Sequence, residues 1–316
     1  MSTAEWGEHS LSFRLATASL NVWGLSAHQC DVLSRCYSEF VGPATTSPRG
    51  GNPSPPSTRS PECRAYRLTN APRVTTEALT RDGQYTPLKV RTLCSIELTG
   101  INFRASIDTR ITGGCSSLGV AYEHELAKGD VFENFLRVYS AHQALAQGGV
   151  ILHSSGVAFD DKAYIFVGRS GAGKTTLARK AHAEGGLVLS DDVNLLLPRY
   201  DAFRAFAVPF TGEFGRTLRE VHALASYPVA ALVLLERGER LHAATIKASQ
   251  AVAKLLVGSP FVNMDTDESA ALFDVVTGLI RRVPFVALQC AREDSASDII
   301  SLVRRHIGDP GSTRAH

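Results

Sequence analysis

Hydrophobic and polar residues alternate with a period of two through parts of the first third of the chain. Leu11, Phe13 and Leu15 are separated by polar residues, and Ile96 and Leu98, then Ile101, Phe103, Ala105 and Ile107, alternate on either side of Thr99-Gly100. This period places the apolar set on one face of a strand, and the second group predicts an antiparallel hairpin. From Asp130 the period lengthens. Val131, Phe135, Val138, Tyr139 and His142 share one face of a helix near 130–147, with Asp130 and Glu133 as an N-terminal capping pair and Gly148 as its stop. His142 on that apolar face is expected to be a packed core residue.

Short strands are predicted at 150–153 and 157–159, a turn at Asp160-Asp161-Lys162, and a further strand at 163–167. A helix over 174–184 closes at Gly185-Gly186, followed by 187–192 and the apolar run 193–197. Strands at 203–208, 229–235 and 285–288 and helices at 248–257, about 269–281 and 295–306 complete the chain. The fold class is therefore α/β: a phosphate-loop nucleotide-binding core of mixed sheet with flanking helices, preceded by a β-rich N-terminal region. The boundaries fall at 1–148 and 149–316. Within the first, 42–61 is rich in Gly, Pro, Ser and Thr, cannot bury enough apolar surface to order itself, and predicts a disordered surface loop.

Composition narrows the function. With 316 residues and 44% hydrophobic content, the chain can bury one large or two ordinary cores. A formal charge of +2, with the basic residues scattered, leaves no footprint for nucleic acid. The six cysteines, Cys30, Cys36, Cys63, Cys94, Cys115 and Cys290, contain no C-x-x-C pair, so free thiols in a reducing cytoplasm are expected rather than a zinc or redox site. The longest apolar run, 229–235, is too short to span a bilayer, and the N-terminus, with Glu5 and Glu8, lacks a signal-peptide core, so neither export nor membrane attachment is expected.

The chemistry lies in Gly168-Arg169-Ser170-Gly171-Ala172-Gly173-Lys174-Thr175, a complete G-x-x-x-x-G-K-[ST] phosphate loop between a predicted strand and a predicted helix. Its glycines let backbone N–H groups close around phosphate oxygens. Lys174 reaches the β- and γ-phosphates, the Thr175 hydroxyl can ligate Mg²⁺, and Thr176 continues the loop into the positive end of the helix. Asp191 and Asp192 follow at a strand end, where adjacent side chains diverge and can serve different atoms of one site. Read alone, the pair serves equally as a solvated turn, and its position after the phosphate-loop helix favours the site. Glu236, ending the apolar strand 232–235, is a competing metal-side acid of the Walker B kind, although it also opens a charged turn.

Three motifs stand in register: Leu152-His153-Ser154-Ser155-Gly156-Val157, the phosphate loop, and Leu189-Ser190-Asp191-Asp192. His153 stands 21 positions before Lys174 and Asp191 stands 17 after it. Over roughly 149–212 this resembles the catalytic core of the HPr kinase/phosphorylase family, which shares its phosphate-loop core with ATP-dependent phosphoenolpyruvate carboxykinases. The resemblance implies that Lys174 and Thr175 hold the phosphates and Mg²⁺, Asp191 is the general base toward a serine hydroxyl, Asp192 supports the metal and His153 lines the phosphate end. Glu213 and Arg216, beyond Pro209-Phe210-Thr211-Gly212, are further candidates for metal or phosphate contact. The chain has no counterpart of that family's Glu-Ile-Arg-Gly-Leu-Gly stretch and is more similar to its divergent relatives, some of which act on ribosomally made peptides. The expectation is thus an ATP- and Mg²⁺-dependent kinase acting on a serine of a protein or peptide, with homo-oligomerisation left open. The alternative is a nucleotide-dependent switch or binding module without phosphotransfer, and a small-molecule kinase is a third reading.

Overall fold

The computed structural model describes the chain apart from residues 1–3, 44, 47–59, 70–90, 93–94, 101, 111–113, 128–129, 211, 213, 219–224, 263–265 and 309–316, and only the backbone at 45–46, 91–92, 100, 127, 130 and 216. The loop expected over 42–61 therefore lies largely outside the described residues, as do Thr211, Glu213 and the side chain of Arg216. The chain divides into two compact units, Met1–Ala146 and Gln147–His316.

The first unit contains β1 (His9–Arg14), β2 (Ser19–Leu25), α1 (Ala27–Cys36), β3 (Thr45–Thr46), β4 (Glu62–Arg67), β5 (Arg91–Thr92), β6 (Ser95–Gly100), β7 (Phe103–Asp108), β8 (Cys115–Val120), α2 (Glu123–Ala127) and α3 (Asp130–Ala146). Among the described residues these eight strands form one sheet in the order β3-β1-β2-β4-β8-β7-β6-β5. The alternation seen in the sequence is the sheet's inner face: Leu11, Phe13, Ile96, Leu98, Phe103, Ala105 and Ile107 are all buried. The hairpin β6–β7 reverses between Gly100 and Phe103, two residues later than Thr99-Gly100, with Asn102 at φ 61. Asparagine enters this left-handed region at low cost. Helix α3 supplies Phe132, Phe135 and Tyr139, and the Phe132 ring lies 4.9 Å from that of Phe13. Burial of each such ring contributes roughly 1.5–3 kcal/mol. His142 is buried as expected. Glu133 pairs with Arg137 one turn along α3 at 2.5 Å, and the Asp130 side chain lies outside the described residues.

Helix α1, an element beyond those expected from the sequence pattern, has its signal in Ser26 and Gln29. The Ser26 hydroxyl accepts from the Gln29 backbone N–H at 3.1 Å, and the Gln29 side chain accepts from the Ser26 N–H at 3.0 Å, a reciprocal cap.

The second unit contains β9 (Val150–Phe159), β10 (Lys162–Val167), α4 (Lys174–Ala183), β11 (Leu187–Ser190), β12 (Val193–Arg199), β13 (Ala202–Phe206), β14 (Ser226–Arg237), β15 (His242–Thr245), α5 (Ala248–Val257), α6 (Thr266–Arg282), β16 (Phe285–Cys290) and α7 (Ala296–His306). Where two short strands were expected, β9 is continuous. Its first half pairs with β12 and its second half with β10 and β11. Polar Ser154 and Ser155 interrupt the apolar pattern but are fully buried inside the strand, where Asn194 donates to the Ser154 carbonyl at 2.9 Å. Strand β14 likewise starts against β13 and continues between β10 and β16, parallel to both. Pairing therefore closes the ring β10-β9-β12-β13-β14, with β11 joined to β9 and β16-β15 to β14. Helices α4 and α7 cover one face through Leu177, Ala178, Ala181, Ile299, Ile300 and Val303, packed on Phe166, Val233 and Leu235. Among the described residues no helix is long and apolar enough to cross a membrane.

Candidate active site

Register assembles the site. Val167, the last residue of β10, is paired with Ser154 on one side and Leu234 on the other, and His153 is paired with Val193. The glycine loop therefore leaves β10 between His153 and the end of β14, and Asp192 faces Ser154, whose N–H donates to the Asp192 carbonyl at 2.9 Å. The His153 N–H is bound by the Gly258 carbonyl at 2.7 Å, just beyond α5. The site lies at the carboxyl ends of the parallel pair β10 and β14.

The glycines of the loop each have a local cause. Gly171 and Gly173 have φ 77 and 107, which side chains disfavour, and a Cβ on Gly168 would lie 2.7 Å from the Leu235 carbonyl. Gly173 caps α4 without any side-chain bond to the first helical turn, so the N–H groups there face outward at the positive end of the helix. The loop wraps the Lys174 ammonium, which donates to the carbonyls of Gly168 at 2.8 Å and Arg169 at 3.3 Å. Burial lowers the Lys174 pKa, and the negative charge of Asp192 opposes that shift.

The two aspartates have different surroundings. Asp191 is 5% exposed, and its oxygens accept three backbone N–H groups, from Gly212 at 2.8 Å, Phe214 at 3.0 Å and Gly215 at 3.1 Å. A Cβ on Gly212 would lie 2.7 Å from both oxygens, so only glycine fits there. The Ser190 hydroxyl adds a bond to the Phe210 carbonyl at 3.1 Å, and the two residues together staple Phe210, Gly212, Phe214 and Gly215 to the end of β11. Asp192 instead turns toward His153, with Oδ1 at 3.2 Å from Nδ1, and both side chains are partly open to solvent.

A cavity of about 330 Å³ is lined by Lys174, Thr175, Thr176, Asp191, Asp192 and His153, with Ser170, Gly171, Gly173, Gly212 and Arg237. It brings together the predicted lysine, threonines, aspartates and histidine. Of the remaining predicted loop residues, Gly168 and Arg169 present their carbonyls to Lys174, and Ala172 lines a neighbouring cavity. Glu236 is not part of the lining. Alternation along β14 puts Leu235 and Arg237 on the face of the loop and Glu236 on the other. Arg237 belongs to the charged turn that Glu236 opens, and because residues 231–235 are buried on both faces of β14 no alternation in the sequence marks it as a lining residue.

The donor set suits Mg²⁺. A threonine hydroxyl and a carboxylate in one cavity are hard oxygen ligands, and this ion takes one or two carboxylates and completes its shell with phosphate oxygens and water. Among the described residues no group of three or more His, Cys, Asp or Glu side chains is placed to hold a metal ion.

Fold and site define a mixed α/β protein whose second unit presents a strand, a glycine loop and a helix to a cavity bearing two acids and a histidine. The chain belongs to the family described as SynChlorMet cassette protein ScmC, which matches residues 128–296. No curated protein matches it. Among solved structures it is similar to the HPr(Ser) kinase/phosphatase from Coxiella burnetii, at 14% identity over 49% of this chain and 95% of that one, with a TM-score of 0.29. What the site can do follows from its own geometry.

Proposed function

We propose that the chain is an ATP- and Mg²⁺-dependent phosphotransferase that places the γ-phosphoryl group on a serine hydroxyl of a protein or peptide. The observation that carries this reading is the shared cavity: Lys174, wrapped by the glycine loop, opens onto the same space as the Asp192–His153 pair. Phosphate oxygens replace the two carbonyls now bound by the Lys174 ammonium, and the uncapped N–H groups of α4 take further oxygens. Thr175 and Asp192 supply oxygen ligands for Mg²⁺, which when bound neutralises charge on the β- and γ-phosphates.

The acceptor hydroxyl attacks phosphorus in line, the bond from phosphorus to the β-phosphate oxygen breaks, and the hydroxyl proton leaves to a base. Resemblance assigns that base to Asp191. Geometry favours His153, because Asp191 has committed its oxygens to three backbone donors, whereas Asp192 holds Nδ1 of His153 and leaves Nε2 to receive the proton. Asp191 then holds Gly212, which lines the same cavity, together with Phe214 and Gly215.

The test is incubation with ATP, Mg²⁺ and a peptide extract, followed by mass spectrometry for the gain of one phosphate on serine. Nucleotide binding with no covalent product in any extract would favour the switch reading. His153→Gln is expected to abolish transfer while leaving ATP affinity within about 2-fold, and undiminished transfer by it would return the base to Asp191.

A further inference from the structure

Asn194 lies on β12 two positions beyond Asp192, 1% exposed and outside the lining of the acidic cavity. Its Nδ2 donates to the Ser154 carbonyl at 2.9 Å, to the Ser154 hydroxyl at 3.0 Å and, more weakly, to the Ser190 carbonyl at 3.4 Å. Both serines adjoin groups that meet in the site: Ser154 follows His153 in β9, and Ser190 precedes Asp191 at the end of β11. One buried NH₂ group therefore joins the backbone that carries the imidazole to the backbone that carries the two acids.

The turn between those strands is closed by further bonds. The Ser190 hydroxyl accepts from the Asp192 and Val193 N–H groups, each at 3.3 Å, and the Ser154 N–H donates to the Asp192 carbonyl at 2.9 Å. Asp192 is thus gripped through its own backbone, and Asn194 braces both sides of the grip. The oxygens around Nδ2 fix which way the amide points, and that orientation leaves Oδ1 buried with no hydrogen-bond donor among the described residues. A Cβ on Gly156 would lie 2.1 Å from Oδ1, so a glycine makes the space for it. A buried amide with an unmatched oxygen is a costly way to fill a core. What it supplies in return is a fixed relation between His153 and Asp192.

We propose that Asn194 is a positioning residue: by tying Ser154 to Ser190 it holds Asp192 Oδ1 against Nδ1 of His153, at 3.2 Å, and keeps the proton of the neutral imidazole on Nδ1 so that Nε2 stays open to the acceptor hydroxyl. The role rests on the reading of His153 as the base given above. Which nitrogen of a neutral imidazole carries the proton is set by the hydrogen bond it makes, so the tautomer reports whether Asp192 is in place.

Two readouts separate this role from a merely structural one. In the full chain labelled with ¹⁵N-histidine, free of nucleotide and Mg²⁺, a long-range nitrogen–proton correlation spectrum of the neutral imidazoles gives the share of each tautomer. The His153 signal is assigned by its loss in His153→Gln, and exposed His28 serves as the unrestrained reference. His153 is expected to be predominantly Nδ1–H in the wild type and to move to the His28 distribution in Asn194→Ala. Single-turnover transfer is expected to slow at least ~10-fold in the same variant while ATP affinity stays within about 2-fold, because a small misplacement acts on the chemical step and leaves the glycine loop intact. Combining Asn194→Ala with Gly156→Ala, whose methyl refills the vacated space, keeps the core packed and is expected to give the same two changes. A folded variant with the wild-type tautomer, or with transfer at the wild-type rate, would overturn the positioning role. A tautomer that shifts as expected in a protein whose wild type phosphorylates no acceptor would establish the positioning and overturn the phosphotransfer reading alone.

Discussion

Replacing Asp191 by asparagine separates a loop-holding carboxylate from a chemical one. In the wild type, Oδ1 accepts from Gly212 and Gly215 and Oδ2 from Phe214. Asparagine has one acceptor oxygen. With that oxygen in the place of Oδ1, two of the three bonds survive as neutral ones and the Phe214 N–H faces an NH₂ group. The change from charged to neutral acceptor costs about 1 kcal/mol per surviving bond, and an unpaired buried donor about 1–3 kcal/mol. Because Phe214 is only partly buried, the expected total is about 2–4 kcal/mol. For a unit of this size that lowers Tm by roughly 5–15 °C. Calorimetry of the full chain, paired with single-turnover transfer, reads both effects. Asp191→Asn is expected to lose stability together with transfer, whereas His153→Gln loses transfer at a Tm within about 2 °C of wild type. An Asp191→Asn protein that unfolds with wild-type Tm would refute the stapling argument. If that stable protein has also lost transfer, Asp191 is the base.

Three other outcomes follow from the same geometry. Lys174→Ala removes the ammonium wrapped by the loop and is expected to weaken ATP binding by at least ~10-fold and to abolish transfer, measured by calorimetric titration and phosphopeptide mass spectrometry. Glu236→Ala, on the face of β14 away from the loop, is expected to leave transfer within about 2-fold of wild type; a larger loss would restore Glu236 as the metal-side acid. Partial burial works to raise the Glu184 pKa, but the Ser297 hydroxyl and the N–H groups of Ala296 and Ser297 outweigh it and hold the carboxyl below its ordinary 4.5. Glu184 then stabilises the start of α7 fully above about pH 4.5, and that contribution is lost as pH falls through the lowered value. The Tm difference between wild type and Glu184→Gln is expected to shrink on acidification from pH 7 to pH 3, and a constant difference would count against the cap.

Local chemistry made much of this protein legible in advance. Period-two alternation identified β1, β6 and β7, because one-sided burial is written directly into residue parity. The G-x-x-x-x-G-K-[ST] spacing located the glycine loop, because its positive φ values and its close approach to Leu235 demand particular residues at particular positions. Helix α7 was legible for the same reason: Ser295 accepts from the Asp298 N–H at 3.0 Å and starts the helix where the pattern placed it. The Ser26/Gln29 cap of α1 is equally local.

Non-local pairing decided the rest. Ser154 and Ser155 look like a break between strands until Asn194, 40 positions away, satisfies the backbone there and lets β9 run on. Nothing within the Asp191-Asp192 dipeptide distinguishes the two acids. The division arises because Gly212, Phe214 and Gly215 return to one of them with three N–H donors, while the pairing of β9 with β12 carries His153 to the other. A sequence specifies which groups a residue can bond, but the partner of a buried carboxylate depends on which distant backbone the folded chain brings to it.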